Sequence, residues 1–155
     1  MPPPPPPPPP PQLQAYGQID RPIAIATALG ADVLLLHGFE GTEQLNSVFE
    51  YELDLRSDHR TIDDSKVLGT NVTIAIDPEQ DEVRYINGLI ADFAHLGDTD
   101  RLSCYRAKLV SWTWMLGLTR NNRVFQGKTI PEVVEHVLQE HVFADFTFQL
   151  HNSYP

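Results

Sequence analysis

A chain of 155 residues with 21 acidic against 11 basic side chains carries a formal charge of −10, a field that repels phosphate backbones and anionic headgroups and so argues against nucleic-acid partners. Its one cysteine, Cys104, excludes an intrachain disulfide framework and any multi-cysteine metal site, and is expected as a small, buried, inert thiol. The longest apolar run, Val33 to Leu36, falls far short of the roughly 20 residues that cross a bilayer, so no stable membrane insertion is expected.

The chain opens on Pro2 to Pro11, where fixed φ and missing N–H groups impose a polyproline II rod that cannot join a core. The rod could dock on an aromatic groove, which makes a free-standing adaptor one reading; a tail with no folded role is the other. Met1 runs into proline without a basic segment, apolar stretch or cleavage site, so a secretory signal is not expected. Residues 1–20 are read as a proline-rich disordered tail and 21–155 as the folded domain.

From Ile23 onward short apolar and alternating runs, broken by turn residues, predict a strand-rich domain. Phe49 to Arg56 is the clearest strand. Phe49, Tyr51, Leu53 and Leu55 alternate with Glu50, Glu52, Asp54 and Arg56, giving one apolar and one charged face. Val72, Ile74 and Ile76 repeat the pattern up to Asp77-Pro78, and Val83 to Leu96 follows as the second arm of a hairpin. Gly88 interrupts that arm and is expected to mark a bulge or bend that curls the sheet toward a barrel. Leu102 to Val110 supplies another strand, with Tyr105, Ala107 and Leu109 on one face.

Trp112 to Leu118 is too densely apolar for a clean period and is read as a short helix, with an irregular plug as the alternative. A helix follows Thr129, which forms a capping box with Glu132 and tolerates Pro131 in the first turn. Ile130, Val133, Val134, Val137, Leu138 and His141 mark one face of it. Phe146, Phe148 and Leu150 alternate as a last strand without a partner, an aggregation-prone edge from which an incomplete domain is expected.

The chemistry-bearing patterns fail at particular points. Gly127-Lys128-Thr129 resembles the end of a phosphate-binding loop, but Asn122 stands where its first glycine is needed, leaving a loop and a helix cap. His136 and His141 lie five residues apart, about 140° around a helix of 3.6 residues per turn, whereas a helical metal pair needs three or four. None of the serines sits on a glycine-flanked tight turn, although a triad that converges in space leaves no sequence trace. Trp112, Trp114 and Phe125 could form a stacking platform for sugars or bases, with core packing as the plainer reading. No catalytic, cofactor-binding or metal-ligating residue is therefore expected, and the chain is read as a non-enzyme.

In order and spacing, Leu36-His37-Gly38-Phe39-Glu40-Gly41 with Glu43, Phe49 to Ser57, Leu68-Gly69, Ile86-Asn87-Gly88 and Tyr105 to Gln126 resemble a known family. It is the N-terminal domain of VgrG, the type VI secretion spike, related to contractile-phage tail hubs, and the likeness runs from about Val33 to Pro155. Ser111 departs from it, standing where the family usually carries proline.

The resemblance implies a mainly β, barrel-type tail hub domain with one or two short helices. It implies a homotrimer whose barrels form a pseudo-sixfold ring, docks on a tube of stacked Hcp hexamers and carries effector or adaptor proteins. Assembly in the bacterial cytoplasm followed by export through the type VI apparatus is the expected route. The family's second barrel and β-helical needle have no counterpart in these residues, so a truncated hub is expected.

Overall fold

Six antiparallel strands in the order β1-β4-β5-β6-β3-β2 curl until the two edge strands lie side by side as a nearly closed barrel. They are β1 (Ile23–Ala26), β2 (Leu35–Thr42), β3 (Glu50–Ser57), β4 (Asn71–Ile76), β5 (Arg84–Asp98) and β6 (Ser103–Val110). The computed structural model describes residues 18, 21–77, 83–99, 101–142 and 144–154; the proline run lies outside them. The chain divides into two compact units, the barrel up to Ser111 and a second unit from Trp112.

Alternation along the strands builds the barrel interior. On β3, Tyr51, Leu53, Leu55 and Ser57 are buried while Glu50 and Glu52 are exposed, and β6 answers with Tyr105, Ala107 and Leu109. The two pair in unbroken register from Glu50↔Val110 to Ser57↔Ser103. Ile25, Leu36, Val72, Ile74, Ile86 and Ile90 complete one continuous core with them. At about 1.5–3 kcal/mol for each fully buried large apolar side chain, this interior is the main stabilising term.

The predicted hairpin is present, with Asn71↔Leu89 through Ile76↔Arg84 in register. β5 runs for 15 residues and serves two ladders: its first part pairs with β4, and from Leu89 onward it pairs with β6. The expected bulge at Gly88 is not there, since Gly88 stands opposite Val72 in regular register. The register breaks instead between Ile90 and Asp92 and between His95 and Gly97, with a third break on β2 between Leu36 and Gly38. Gly88 answers a different need: a Cβ there would sit 2.4 Å from the Val110 carbonyl oxygen, so only glycine lets β6 come so close.

Two residues depart from expectation in burial. Gln18, inside the span read as tail, is 1% exposed and touches both edge strands. Cys104, expected to be buried, is only half-buried, because its parity on β6 puts it on the outer face between Ser103 and Tyr105.

In the second unit, Trp112–Leu118 is a 3-10 helix and Ile130–Leu138 is α1. The Glu132 carboxylate accepts from the Thr129 N–H at 2.7 Å and from its hydroxyl at 2.9 Å, as the capping pattern predicts. Val133, Val137, Leu138 and His141 are half-buried along the predicted face, while Ile130 is 60% exposed. The last predicted strand does not form: Phe146 to Leu150 has no ladder partner among the described residues, and the alternation of Phe146, Phe148 and Leu150 cannot substitute for one. The Phe146 and Phe148 rings meet edge-on at 5.5 Å instead.

Candidate assembly surfaces

The outer face of β2, β3 and β6 is a lattice of charge. Glu52 pairs with Arg106 at 3.1 Å and Glu50 with Lys108 at 3.3 Å, each across one strand boundary. Beside them Glu40, Thr42, Gln44, Val48, Glu50 and Lys108 line an open concavity of about 650 Å³. One wall is the β2–β3 connection, where Ser47 N–H donates to the Gln44 carbonyl and Asn46 takes φ 62°, a left-handed conformation that asparagine tolerates. That turn holds Leu45 almost wholly in solvent, 98% exposed.

The root of the same connection is tied down. Arg84 Nη2, at the start of β5, lies 2.6 Å from Glu43 Oε2, and the Tyr51 phenol, reaching from the core, comes near the same carboxylate. Tyr51 and Arg84 hold the Glu43 carboxyl below its ordinary range, while burial, reinforced by Glu43, pushes the Tyr51 phenol up to about 12. No sequence pattern flags this trio, because Glu43 lies in the β2–β3 connection, Tyr51 on β3 and Arg84 on β5.

At the β5–β6 turn the fold brings Ser103, His95 and Asp98 together, the residue types of a hydrolase relay. The connections are wrong for one. Ser103 Oγ donates to Asp98 Oδ1 at 2.7 Å and His95 Nε2 meets the same oxygen at 3.0 Å, so no imidazole stands between hydroxyl and acid to take the serine proton. Ser103, then His95, lower the Asp98 pKa. The His95 ring leans on Tyr105, which stacks on Phe93 at 5.1 Å and donates to the His59 carbonyl at 3.1 Å, making the cluster a cap on this end of the barrel.

In the second unit His136 stands edge-on to Phe125 at 5.6 Å and 3.9 Å from Glu140, which also pairs with Arg123. No group of three His, Cys, Asp or Glu side chains able to hold a metal occurs among the described residues. Gly127, at φ 65°, turns the chain into the Thr129 cap. Trp112 and Trp114 are half-buried and appear in no ring pair among the described residues. No described helix is long and apolar enough to cross a membrane. The features that stand out are charged and apolar surfaces, suited to contact with other protein.

Comparison with known proteins agrees with that character. Residues 42–155 match the model of the phage tail baseplate hub (GPD) family. The type VI secretion system spike protein VgrG1a of Pseudomonas aeruginosa is 31% identical over 137 residues, which is 88% of this chain and 21% of that protein. VgrG3 of Vibrio cholerae is 30% identical over 127 residues, 76% of this chain and 12% of that protein. Among solved structures, the E. coli c3393 protein superposes with a TM-score of 0.65 at 29% identity, over 79% of this chain and 36% of that one. It is described as a type VI secretion component with structural similarity to the T4 bacteriophage tail proteins gp27 and gp5. The chain thus spans about a fifth or less of these spike proteins. With the family model covering its barrel from the end of β2 through the second unit, this chain belongs to the phage tail baseplate hub family.

Proposed function

We propose that this chain is the first barrel of a type VI secretion spike and that it works by assembly, without catalysis. The observation that carries the reading is the backbone match to the E. coli type VI component, made at 29% identity and alongside the hub-family match over residues 42–155. In the complete protein, residues 21–155 are the N-terminal part of the hub, preceded by the proline-rich segment. Three copies form a ring, the ring docks on the Hcp tube, and effector or adaptor proteins ride on the spike. A self-sufficient barrel core with a charged exterior supports this, because a ring subunit must keep its shape while its surfaces make the contacts. Assembly takes place in the bacterial cytoplasm, and the assembled spike leaves through the apparatus.

Sedimentation equilibrium on the full-length gene product, with and without purified Hcp hexamer, tests the proposal. A trimer that co-sediments with the hexamer is expected. A monomer that ignores Hcp would overturn it, and turnover of a hydrolase substrate panel by the folded chain would overturn the non-catalytic part.

A further inference from the structure

We infer that the side-chain amide of Gln18 is a clasp that closes the barrel, standing in for one peptide unit of a strand between β1 and β2. The two edge strands are neighbours without a ladder of their own, β1 pairing only with β4 and β2 only with β3. Their facing backbone groups therefore need partners, since a buried peptide N–H or C=O left unpaired is costly. Gln18 supplies both. Its Nε2 donates to the Ile25 carbonyl on β1 at 3.2 Å, and its Oε1 accepts the Leu36 N–H on β2 at 3.4 Å.

A carboxamide carries one donor side and one acceptor side, as a peptide group does, so a single residue can span a seam that two strands leave open. The residue is 1% exposed, and no described buried side-chain N or O atom lacks a partner. A glutamine in this setting has no packing advantage over leucine; its value is the pair of hydrogen bonds. β1 is four residues long and β2 eight, and β2 carries its register break beside Leu36, so the seam is short and irregular where the clasp sits. The seam is the barrel's built-in opening point, held shut by the Gln18 side chain.

Amide hydrogen exchange on the whole chain, read residue by residue by NMR, tests this. In the wild type the Leu36 N–H is expected to be protected, and to exchange through a lower-energy opening than the β5 and β6 amides. In Gln18→Ala its protection should fall about 10- to 100-fold while β5 and β6 change little. Gln18→Glu keeps the acceptor and loses the donor, so Leu36 should stay better protected than in Gln18→Ala while β1 frays. A wild-type Leu36 amide that exchanges at the unstructured-chain rate would overturn the clasp, as would unchanged protection in Gln18→Ala. If Gln18→Ala does not fold, the wild-type hierarchy decides: one common exchange free energy for all six strands overturns the inference, and a separate lower one for β1 and Leu36 supports it.

Discussion

Arg84 and Glu43, 41 positions apart in sequence, meet at 2.6 Å and fasten the β2–β3 connection to the start of β5. The Tyr51 hydroxyl joins them from below, so the trio couples a core side chain to the rim of the concavity. Burial and Glu43 together raise the Tyr51 phenol to about 12, against roughly 10 for a free phenol. A raised folded value means that the neutral phenol belongs to the native state. The contribution is complete below pH ~10, where the unfolded phenol also holds its proton, and is lost as pH climbs toward 12. Ultraviolet difference titration should therefore show one tyrosine ionising late, and urea midpoints of the wild type should fall more steeply over that interval than those of Tyr51→Phe.

Three strand glycines, Gly38 and Gly41 on β2 and Gly88 on β5, separate close approach from mere smallness. At Gly88 an added Cβ meets the Val110 carbonyl at 2.4 Å, and at Gly41 it meets the Tyr51 ring at 2.3 Å and the Glu50 carbonyl at 2.4 Å; at Gly38 it meets nothing within 4 Å. Gly88→Ala and Gly41→Ala should each cost about 1–3 kcal/mol by prying strands apart. Gly38→Ala should stay within about 0.5 kcal/mol of the wild type. Urea unfolding of the three variants checks the ranking.

Asp98 gives an acid limb. Its folded pKa is depressed, with Ser103 the larger cause and His95 the next, so its contribution is present above the ordinary carboxylate range and is lost as pH falls through the depressed value. In Ser103→Ala the Asp98 carboxyl carbon should titrate closer to the usual value near 3.9 by NMR, and the loss of stability below pH ~4 should be shallower. An unchanged titration would mean that the Ser103 hydroxyl is not what holds the charge.

The outer-face ion pairs should matter little for stability. Glu52 and Arg106 are each about half-exposed, and such pairs contribute at most about 1 kcal/mol. Glu52→Gln should therefore leave the urea midpoint nearly unchanged and the barrel intact. If the charged face is kept for contact with other protein, its loss should appear instead as weakened or salt-insensitive assembly of the full-length spike.

Where one strand face is buried and the other wet, the alternation of period two was enough to read the fold: β3, β4, β5 and β6 lie close to the predicted runs. α1 was also legible, through the Thr129/Glu132 cap, whereas the dense apolar spacing of Trp112 to Leu118 left a short helix and an irregular plug both open, and the segment forms a 3-10 helix. β1, four residues of Ile and Ala, is too short for alternation to stand out, and β2 mixes glycine and glutamate with its apolar residues. Gly88 was rightly marked as special but for the wrong reason, because a strand glycine can serve a bend or a close approach and only the neighbouring strand's position distinguishes them. Gln18 and the Tyr51–Glu43–Arg84 trio were invisible because each depends on groups that meet only after the sheet has curled. Phe146 to Leu150 shows the converse: alternation is a request for a neighbouring strand, and it does not make a strand by itself.

The double duty of β5 has a mechanical side. Its inter-strand hydrogen bonds run across the strand, so a pull along its axis loads many of them at once, in shear, through β4 at one end and β6 at the other. Among the described residues, the seam at Gln18 has no such row to share a load, and two bonds from one side chain span it. Thrust carried along β5 is spread through most of the sheet, while a peeling force on Gln18 is met by the two bonds of its side chain.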